Sequence, residues 1–442
     1  MTAQAPAHKA ELLEKIRQQF DSAPYPRVPV EDSPEGNANL LYLHNLTTPY
    51  YLRHQKFTDT KGKVILDAGC GTGYKLLTLV LANPGAKVVG IDLSEESIHF
   101  AEKRMQYHGI DNVEFHVSLL EDLPKLGIEF DYINCDDVLY LLPDAVTGLQ
   151  AMKSVLKADG IIRVNLHSSL QREWYYRAQK LCKFMGLMDS NPEALQIGAL
   201  RDIMKALKDS VLLKSKTWNP INEENDGSIL ANHLLVGDKG STIPEFFSLL
   251  NAAGLEFVSM VDWQRWDVMD LFKEPDDLPA FLALSIPDLS EEEKLHLFEL
   301  FHPVHRLLDL WCGHRNQKKL TPVSEWSDAN WQNASVYLHP MLKTSNFREE
   351  LIECITQMRP FAISQHLSLM SNVVTIDSTM TLCLVPLLEK PQSMISLIEL
   401  WKQVRPIDPI TLQGIEDKQA FYLVKQLLLR LEGLGYVMLE TF

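Results

Sequence analysis

The sequence predicts an α/β fold built around a mostly parallel β-sheet, and two observations carry this prediction. A short apolar run at residues 64–66 is followed by Gly69, Gly71 and Gly73 and then by the apolar stripe of a helix. Further apolar runs alternate with helical segments as far as residue 166. Strands and helices that alternate in this way form parallel sheets with right-handed crossovers.

The individual elements follow from hydrophobic periodicity and turn residues. Strands are predicted near 63–68, 87–91, 112–117, 130–134 and 160–166, and helices near 74–82, 95–108 and 143–157. Residues 168 to about 250 are predicted to be a mostly helical insertion, followed by a sixth strand at 254–261 and a seventh at 334–342. Between these last two strands, Ser290 and Glu293 form a capping box for an amphipathic helix that carries Leu297, Phe301, Val304 and Leu308.

The glycine spacing indicates which kind of nucleotide would bind. A dinucleotide fingerprint requires Gly-x-Gly-x-x-Gly, but here Tyr74 occupies the position of the last glycine. The Gly-Lys-Ser/Thr of a P-loop is absent from the sequence. Asp92 ends a second apolar run about 20 residues further on, where a carboxylate accepts the hydroxyls of an unphosphorylated ribose. The predicted ligand is an adenosine without a pyrophosphate.

These residues resemble the class I S-adenosylmethionine-dependent methyltransferases. The resemblance runs through residues 64–73, 88–94, 130–134 and 156–164. It implies a Rossmann-like, mostly parallel seven-stranded sheet, S-adenosylmethionine as cofactor, and methyl transfer by direct displacement. The segment at 19–27 also resembles a stretch ahead of the core in some bacterial methyltransferases whose substrates are poorly defined.

Candidate cofactor-binding residues follow from the motifs and from this resemblance. Asp92 is expected to hold the ribose and Leu93 to lie against the adenine. The family commonly has a carboxylate for the adenine amino group where this chain has Leu119, so backbone groups of Ser118 and Leu119 are expected to line the adenine instead. The full set of candidates is Tyr25, Asp67, Gly69, Cys70, Gly71, Gly73, Asp92, Leu93, Ser118, Leu119 and Asn134.

Candidate catalytic residues follow the fourth strand, at the sheet edge where open α/β folds bind ligands. Asp136 and Asp137 would orient an amine or take a proton from a hydroxyl, with Tyr140 beside them. The alternative is that the two acids cap a helix and Tyr140 lies in the core. No metal is required for this chemistry, and the histidines around His302 do not follow a usual zinc spacing.

Three regions are predicted along the chain. Residues 1–60 form a helical and extended cover segment, 61–345 the methyltransferase domain, and 346–442 a smaller, winged-helix-like accessory domain. Within the cover, residues 40–57 are either a packed helix or a lid over the cofactor. Elements of the accessory domain are predicted as helices near 347–357, 359–371, 392–403 and 416–433 and a strand at 436–439.

Composition limits the partners and the compartment. The chain of 442 residues has 42 basic and 58 acidic side chains, a net charge of −16 that disfavours nucleic acid. Six scattered cysteines, no signal segment and no membrane-spanning stretch predict a cytoplasmic protein with free thiols. The expected acceptor is a small molecule, with a protein side chain next. A non-catalytic scaffold that binds the cofactor and an NAD oxidoreductase are the alternatives, and the oligomeric state is left open.

Overall fold

The computed structural model describes residues 4–22, 24–316, 320–408 and 412–441, which form two compact units. The first unit takes its described residues from Met1–Ser33, Gly62–Leu77 and Ala86–Arg315. The second takes them from Pro34–Lys61, Thr78–Gly85 and Asn316–Phe442. The predicted boundaries after residues 60 and 345 differ from these two units. Each unit combines stretches that are far apart in the sequence, so no single boundary along the chain separates them.

The first unit is built on a mostly parallel sheet, as predicted. Its strands in chain order are β1 (Val64–Ala68), β2 (Lys87–Asp92), β3 (Val113–Val117), β4 (Phe130–Cys135), β5 (Leu156–Ser168), β6 (Gly240–Ser241), β7 (Leu255–Met260) and β8 (Leu307–His314). Seven of them follow the order β3-β2-β1-β4-β5-β8-β7, and the two-residue β6 pairs with β5. β1 to β5 are parallel, whereas β8 is antiparallel to both β5 and β7.

The predicted position of the seventh strand is wrong. The sheet is completed by β8, in the stretch where a helix carrying Val304 and Leu308 was expected. That helix begins at its capping box but ends at Phe301, so both residues lie beyond it. Pro303 lacks a backbone N–H and disfavours the helical conformation of the residue before it, which explains why the helix does not continue. The stretch at 334–342 instead contributes a strand to the second unit.

Helices of the first unit cover its sheet and build the insertion, whereas the two helices within residues 38–54 belong to the second unit. The helices up to residue 301 are α1 (Gln4–Ser22), α2 (Ala38–His44), α3 (Thr47–His54), α4 (Tyr74–Ala82), α5 (Glu95–Tyr107), α6 (Ala145–Ser154), α7 (Glu173–Phe184), α8 (Ala194–Ala206), α9 (Leu212–Thr217), α10 (Pro220–Glu224), α11 (Asp226–Asn232), α12 (Ile243–Ala253), α13 (Ala280–Ser285) and α14 (Glu291–Phe301). Helices α7 to α12 form the predicted helical insertion.

The core of the first unit lies between the central strands and the helices that pack on them. Leu66, Ile133 and Ile162 come from adjacent strands and are fully buried. Met152 of α6 and Phe246 of α12 belong to the same apolar cluster. Because helices cover the sheet, the central strands read as nearly continuous apolar runs, which is why they were recognisable in the sequence.

The second unit contains a separate antiparallel sheet. Its strands are β9 (Ala334–Leu338), β10 (Phe361–Ala362), β11 (Thr375–Ile376), β12 (Gln392–Ser393) and β13 (Val437–Thr441), and its later helices are α15 (Asp328–Gln332), α16 (Ser345–Thr356), α17 (Ser378–Thr381), α18 (Met394–Val404) and α19 (Asp417–Gly433). β9 lies between β12 and β13 in a three-stranded sheet. The predicted helix at 359–371 is wrong, because β10 in this stretch pairs with β11. Whether the unit is winged-helix-like stays a prediction.

Residues 38–54 belong to the second unit as helices α2 and α3. The Tyr51 hydroxyl donates to Glu432 at 2.8 Å, and the Tyr42 hydroxyl donates to the Gly435 carbonyl at 3.3 Å. This stretch is therefore helical and hydrogen-bonded to the C-terminal part of the chain.

All six cysteines are buried free thiols. Among the helices in the described part of the chain, none is both long and apolar enough to cross a membrane.

Candidate active site

The glycine turn after β1 requires glycine at each of its three positions. Gly69, Gly71 and Gly73 have φ values of +85°, +51° and +82°, a region that side chains rarely adopt. A Cβ at Gly69 would lie 2.3 Å from Val138, and one at Gly71 would lie 2.2 Å from the carbonyl oxygen of Tyr25. A Cβ at Gly73 would lie 2.8 Å from the backbone of α5. The turn is thus packed tightly by three other parts of the chain.

The carboxylate of Asp92 holds this turn in place. Its Oδ2 accepts the N–H of Gly71 and its Oδ1 accepts the N–H of Ser94, both at 2.9 Å. Burial raises the pKa of Asp92, while these backbone hydrogen bonds oppose the shift. Each carboxylate oxygen retains room for a second hydrogen bond. Asp92 can therefore bind two hydroxyl groups without giving up its structural contacts.

Asp67 and Asn134 form a buried pair below the turn. The amide of Asn134 donates to Asp67 Oδ1 at 2.8 Å, which joins the ends of β1 and β4. Asp67 Oδ2 and Asn134 Oδ1 have no hydrogen-bond partner among the described residues. Burial is the main reason that the pKa of Asp67 is raised, from 3.8 to about 7. The pair is thus a buried polar group with unused capacity next to the glycine turn.

The proline-rich segment after α1 is fixed onto the same turn. Thr72 donates its backbone N–H to Tyr25 at 3.1 Å and its hydroxyl to Pro26 at 2.7 Å. From α5, the buried guanidinium of Arg104 donates to the carbonyls of Thr72, Val28 and Pro29 at 2.7–3.0 Å. One arginine therefore joins the turn to the segment that covers it.

A cavity of about 390 Å³ opens beside the turn, within the size range of small-molecule sites. Much of its lining is apolar and comes from α1, from α11 and from the loop after β4, including Leu13, Ile16, Phe20, Leu142, Leu230 and Leu235. Eleven predicted site residues also line it: Tyr25, Gly69, Cys70, Gly71, Asp92, Leu93, Ser118, Leu119, Asp136, Asp137 and Tyr140. Asp67, Gly73 and Asn134 are not part of this lining.

The two candidate catalytic acids have different partners. Asp136 forms a close ion pair with Lys75 and accepts the amide of Asn165 at 2.6 Å. Burial of Lys75 opposes its protonation, but the pairing with Asp136 prevails and raises the pKa of Lys75. Both oxygens of Asp136 are thus engaged. The two candidate acids therefore do not have equivalent chemistry.

Asp137 is held in an unusual backbone conformation and retains a free oxygen. Its φ is +62°, and its N–H donates to Asn165 at 2.9 Å. Its Oδ1 accepts the Tyr140 hydroxyl at 3.2 Å and the guanidinium of Arg306 at 3.3 Å. Burial raises the pKa of Tyr140 well above its usual value, so this hydroxyl stays protonated and donates. The carboxylate of Asp137 bonds these two side chains and does not cap a helix. Tyr140 does belong to the buried apolar cluster, as the alternative expected.

Four side chains at the site were not predicted from the sequence. Lys75 directly follows the glycine turn and Asn165 lies near the carboxyl end of β5, a position where ligand-binding residues are expected. His167, two residues after Asn165 on the same strand, shares this signal, whereas Arg306 had none. Arg306 is 169 residues from Asp137 in the sequence and reaches it from the loop before β8.

Among the described residues, no group of three or more His, Cys, Asp or Glu side chains is arranged to hold a metal ion. The site does fit an adenosine-containing cofactor. Asp92 can accept two ribose hydroxyls, and Leu93 and Leu119 offer apolar surface to a base. The fold and this site define an α/β protein that binds a nucleoside at the carboxyl edge of a parallel sheet.

Comparisons with known proteins identify the class. Residues 59–226 match a family model described as a methyltransferase domain. An uncharacterized protein of Synechococcus sp. (strain ATCC 27144 / PCC 6301 / SAUG 1402/1) is 25% identical over 315 residues, which are 70% of this chain and 72% of that protein. A ubiquinone biosynthesis O-methyltransferase of Actinobacillus pleuropneumoniae serotype 5b (strain L20) is 31% identical over 134 residues, 29% of this chain and 56% of that enzyme.

A solved structure shares the fold over most of the chain. The structure of PKMT2 from Rickettsia typhi in complex with AdoHcy has a TM-score of 0.59 at 16% identity, covering 91% of this chain and 76% of that one.

Residues 59–226 form a methyltransferase domain of the class I S-adenosylmethionine-dependent type, and S-adenosylmethionine is its cofactor. The predicted fold, enzyme class and cofactor are confirmed. The chain spans only 56% of the length of the named O-methyltransferase, so that enzyme's substrate does not carry over to this chain.

Proposed function

We propose that this methyltransferase acts on a small, largely apolar acceptor with a nucleophilic oxygen or nitrogen. The observation that carries the proposal is the cavity, whose lining is mainly apolar and whose polar groups include Asp136, Asp137 and Arg306. Sites for small molecules have this composition, because apolar walls supply affinity and a few polar groups fix orientation.

The cofactor would be held by the residues around the glycine turn. Asp92 would accept the ribose hydroxyls, and Leu93, Ser118 and Leu119 would line the adenine. Backbone groups of Gly69, Cys70 and Gly71 and the side chain of Tyr25 would approach the rest of the molecule. Asp67, Gly73 and Asn134 would act from below, by shaping the turn and the strand ends.

S-adenosylmethionine supplies a sulfonium methyl group, which an acceptor nucleophile takes up as the carbon–sulfur bond breaks with its electron pair on sulfur. The chain's own residues orient the acceptor and accept its proton. Asp137 is the better base of the two acids, since Oδ2 has no hydrogen bond to another described residue, whereas Asp136 is occupied by Lys75 and Asn165. Tyr140 would hold the Asp137 carboxylate in place.

Substitution of Asp137 tests this assignment. Asp137→Asn should lower methyl transfer by about 10²- to 10⁴-fold, the usual contribution of a general base, and leave S-adenosylhomocysteine affinity within a few-fold. Labelled methyl transfer from S-adenosylmethionine to a metabolite extract measures turnover, and calorimetry measures product binding. Asp111→Asn is the matched control, because Asp111 is exposed and lies outside the cavity. Normal turnover of Asp137→Asn would show that Asp137 is not the base.

A protein side chain is the second candidate acceptor. Its support is the fold shared with PKMT2 over 91% of this chain, which includes the C-terminal region. Separating the labelled products by size distinguishes the two candidates, since a small acceptor passes a filter that retains proteins. If the protein binds S-adenosylhomocysteine but transfers no labelled methyl group to either the small-molecule or the protein fraction, the non-catalytic scaffold is favoured.

A further inference from the structure

Arg306 lines the cavity and is held there by two different contacts. Its Nη2 donates to Asp137 Oδ1 at 3.3 Å, and its Nη1 lies 2.9 Å from Nε2 of His167. A guanidinium has five N–H donors and no acceptor, so His167 must accept through Nε2. These two contacts leave further donors of Arg306 available to a molecule in the cavity.

A buried network fixes His167 in the form that accepts from Arg306. His167 Nδ1 lies 2.7 Å from Asp238, which also accepts from Gln179 at 2.8 Å and from Arg172 at 3.2 Å. Since Nε2 accepts, the proton is on Nδ1 and is donated to Asp238. Burial lowers the pKa of His167, which keeps the ring neutral. The ring also stacks on Tyr140 with a centroid distance of 3.9 Å. The guanidinium is therefore pre-positioned from the protein interior.

Around Asp136 and Asp137, four charged side chains form two ion pairs. Lys75 is paired with Asp136, and Arg306 with Asp137, so the four side chains sum to zero. The sulfonium of bound S-adenosylmethionine adds one positive charge. An ammonium group on the acceptor would add a positive charge beside Arg306 and the sulfonium, whereas a carboxylate can accept hydrogen bonds from the guanidinium. Guanidinium groups bind carboxylates with good geometry and form strong hydrogen bonds with them.

We infer that the acceptor carries a carboxylate and that Arg306 is the residue that recognises it. This inference rests on the proposed small-molecule function and narrows the acceptor to apolar organic acids. Two other cations line the cavity, but neither is equivalent to Arg306. Lys75 is committed to Asp136. Arg27 makes no hydrogen bond or ion pair with another described residue, whereas Asp137 and His167 fix the guanidinium of Arg306.

Binding of simple acids to the full-length protein saturated with S-adenosylhomocysteine tests the inference. Calorimetry would compare benzoate, 4-hydroxybenzoate and octanoate with their uncharged amides. The wild type should bind the acids more tightly than the amides by about 10-fold or more. Arg306→Gln should remove this preference and Arg306→Lys should retain part of it. Arg177→Gln is the matched control, because Arg177 pairs with Glu173 on the exposed face of α7 and is not part of the cavity.

Each outcome separates the inference from the function on which it rests. If the protein still binds S-adenosylhomocysteine, two results overturn the inference alone. One is equal binding of acids and amides by the wild type, and the other is an unchanged preference in Arg306→Gln. A loss of S-adenosylhomocysteine affinity in Arg306→Gln with the acid preference retained also overturns it, because Arg306 would then serve the cofactor. Failure of the wild type to bind S-adenosylhomocysteine refutes the proposed function itself and takes the inference with it.

Discussion

Replacing Asp92 by alanine should weaken the binding of S-adenosylmethionine and S-adenosylhomocysteine alike. A hydrogen bond to a charged group contributes about 1.5–3 kcal/mol, so losing the equivalent of one such bond raises Kd roughly 10- to 150-fold. We count one bond rather than two, because Asp92 also accepts the backbone N–H groups of Gly71 and Ser94 and so shares its carboxylate between the turn and the ligand. The same substitution also removes the support of the turn.

A thermodynamic cycle that changes both the protein and the ligand separates the recognition of the ribose by Asp92 from its support of the turn. Calorimetry would measure the affinity of wild type and Asp92→Ala for S-adenosylhomocysteine and for its 2′,3′-dideoxy analogue. The wild type should prefer the natural ligand, and the variant should bind both equally, which gives a coupling energy of about 1.5–3 kcal/mol. Glu96→Ala removes an exposed acid from the first turn of α5 and should behave as wild type. If Asp92→Ala keeps the full preference for the natural ligand, the ribose assignment is refuted and Asp92 only supports the turn.

Three further perturbations test other parts of the structure. Asp67→Asn should raise the free energy of unfolding of the ligand-free protein at pH 7 by up to about 4 kcal/mol and have little effect below pH 4. The pKa of Asp67 is about 7 in the fold and 3.8 ordinarily, so as the pH rises the unfolded chain loses this proton before the folded one does. Urea unfolding from pH 4 to 8 measures the difference in stability between variant and wild type. A difference that does not change with pH would contradict this reasoning. Arg104→Met should speed trypsin cleavage after Arg27 several-fold, because it releases the covering segment. Lys103→Met, on the exposed side of α5, is the control and should not change the rate. Equal cleavage rates in Arg104→Met and the wild type would contradict the role of Arg104. Truncation after residue 345 removes both strands that pair with β9, which are β12 and β13. Residues 320–345 should then become sensitive to proteases. Resistance of this stretch in limited proteolysis would contradict the prediction.

Short-range signals in the sequence were enough to predict the centre of the fold. The first five strands and the helices between them were located to within a few residues, except that β5 begins at Leu156, before the predicted 160. Each depends on local periodicity and on turn residues. Asp92 was identifiable for the same reason, since its distance from the glycine turn is set by one strand–helix–strand unit.

The edges of the fold depended on contacts that the sequence does not reveal. Residues 307–314 and 334–338 are similar short apolar runs, and only pairing with β5 and β7 places the first in the main sheet. The second instead pairs with β13, about one hundred residues later in the chain. Strand propensity is local, whereas the choice of partner is decided by tertiary packing.

The same distinction applies to the candidate site. Sequence reasoning could locate the glycine turn, the carboxylate proposed for the ribose and the two acids after β4, because those residues are adjacent to the strands that present them. Tertiary contacts pair Asp136 with Lys75 and bring Arg306 against both Asp137 and His167. Such partners come from separate elements, and the physical reason they meet is the packing of the sheet and its insertion. No spacing along the chain encodes that packing.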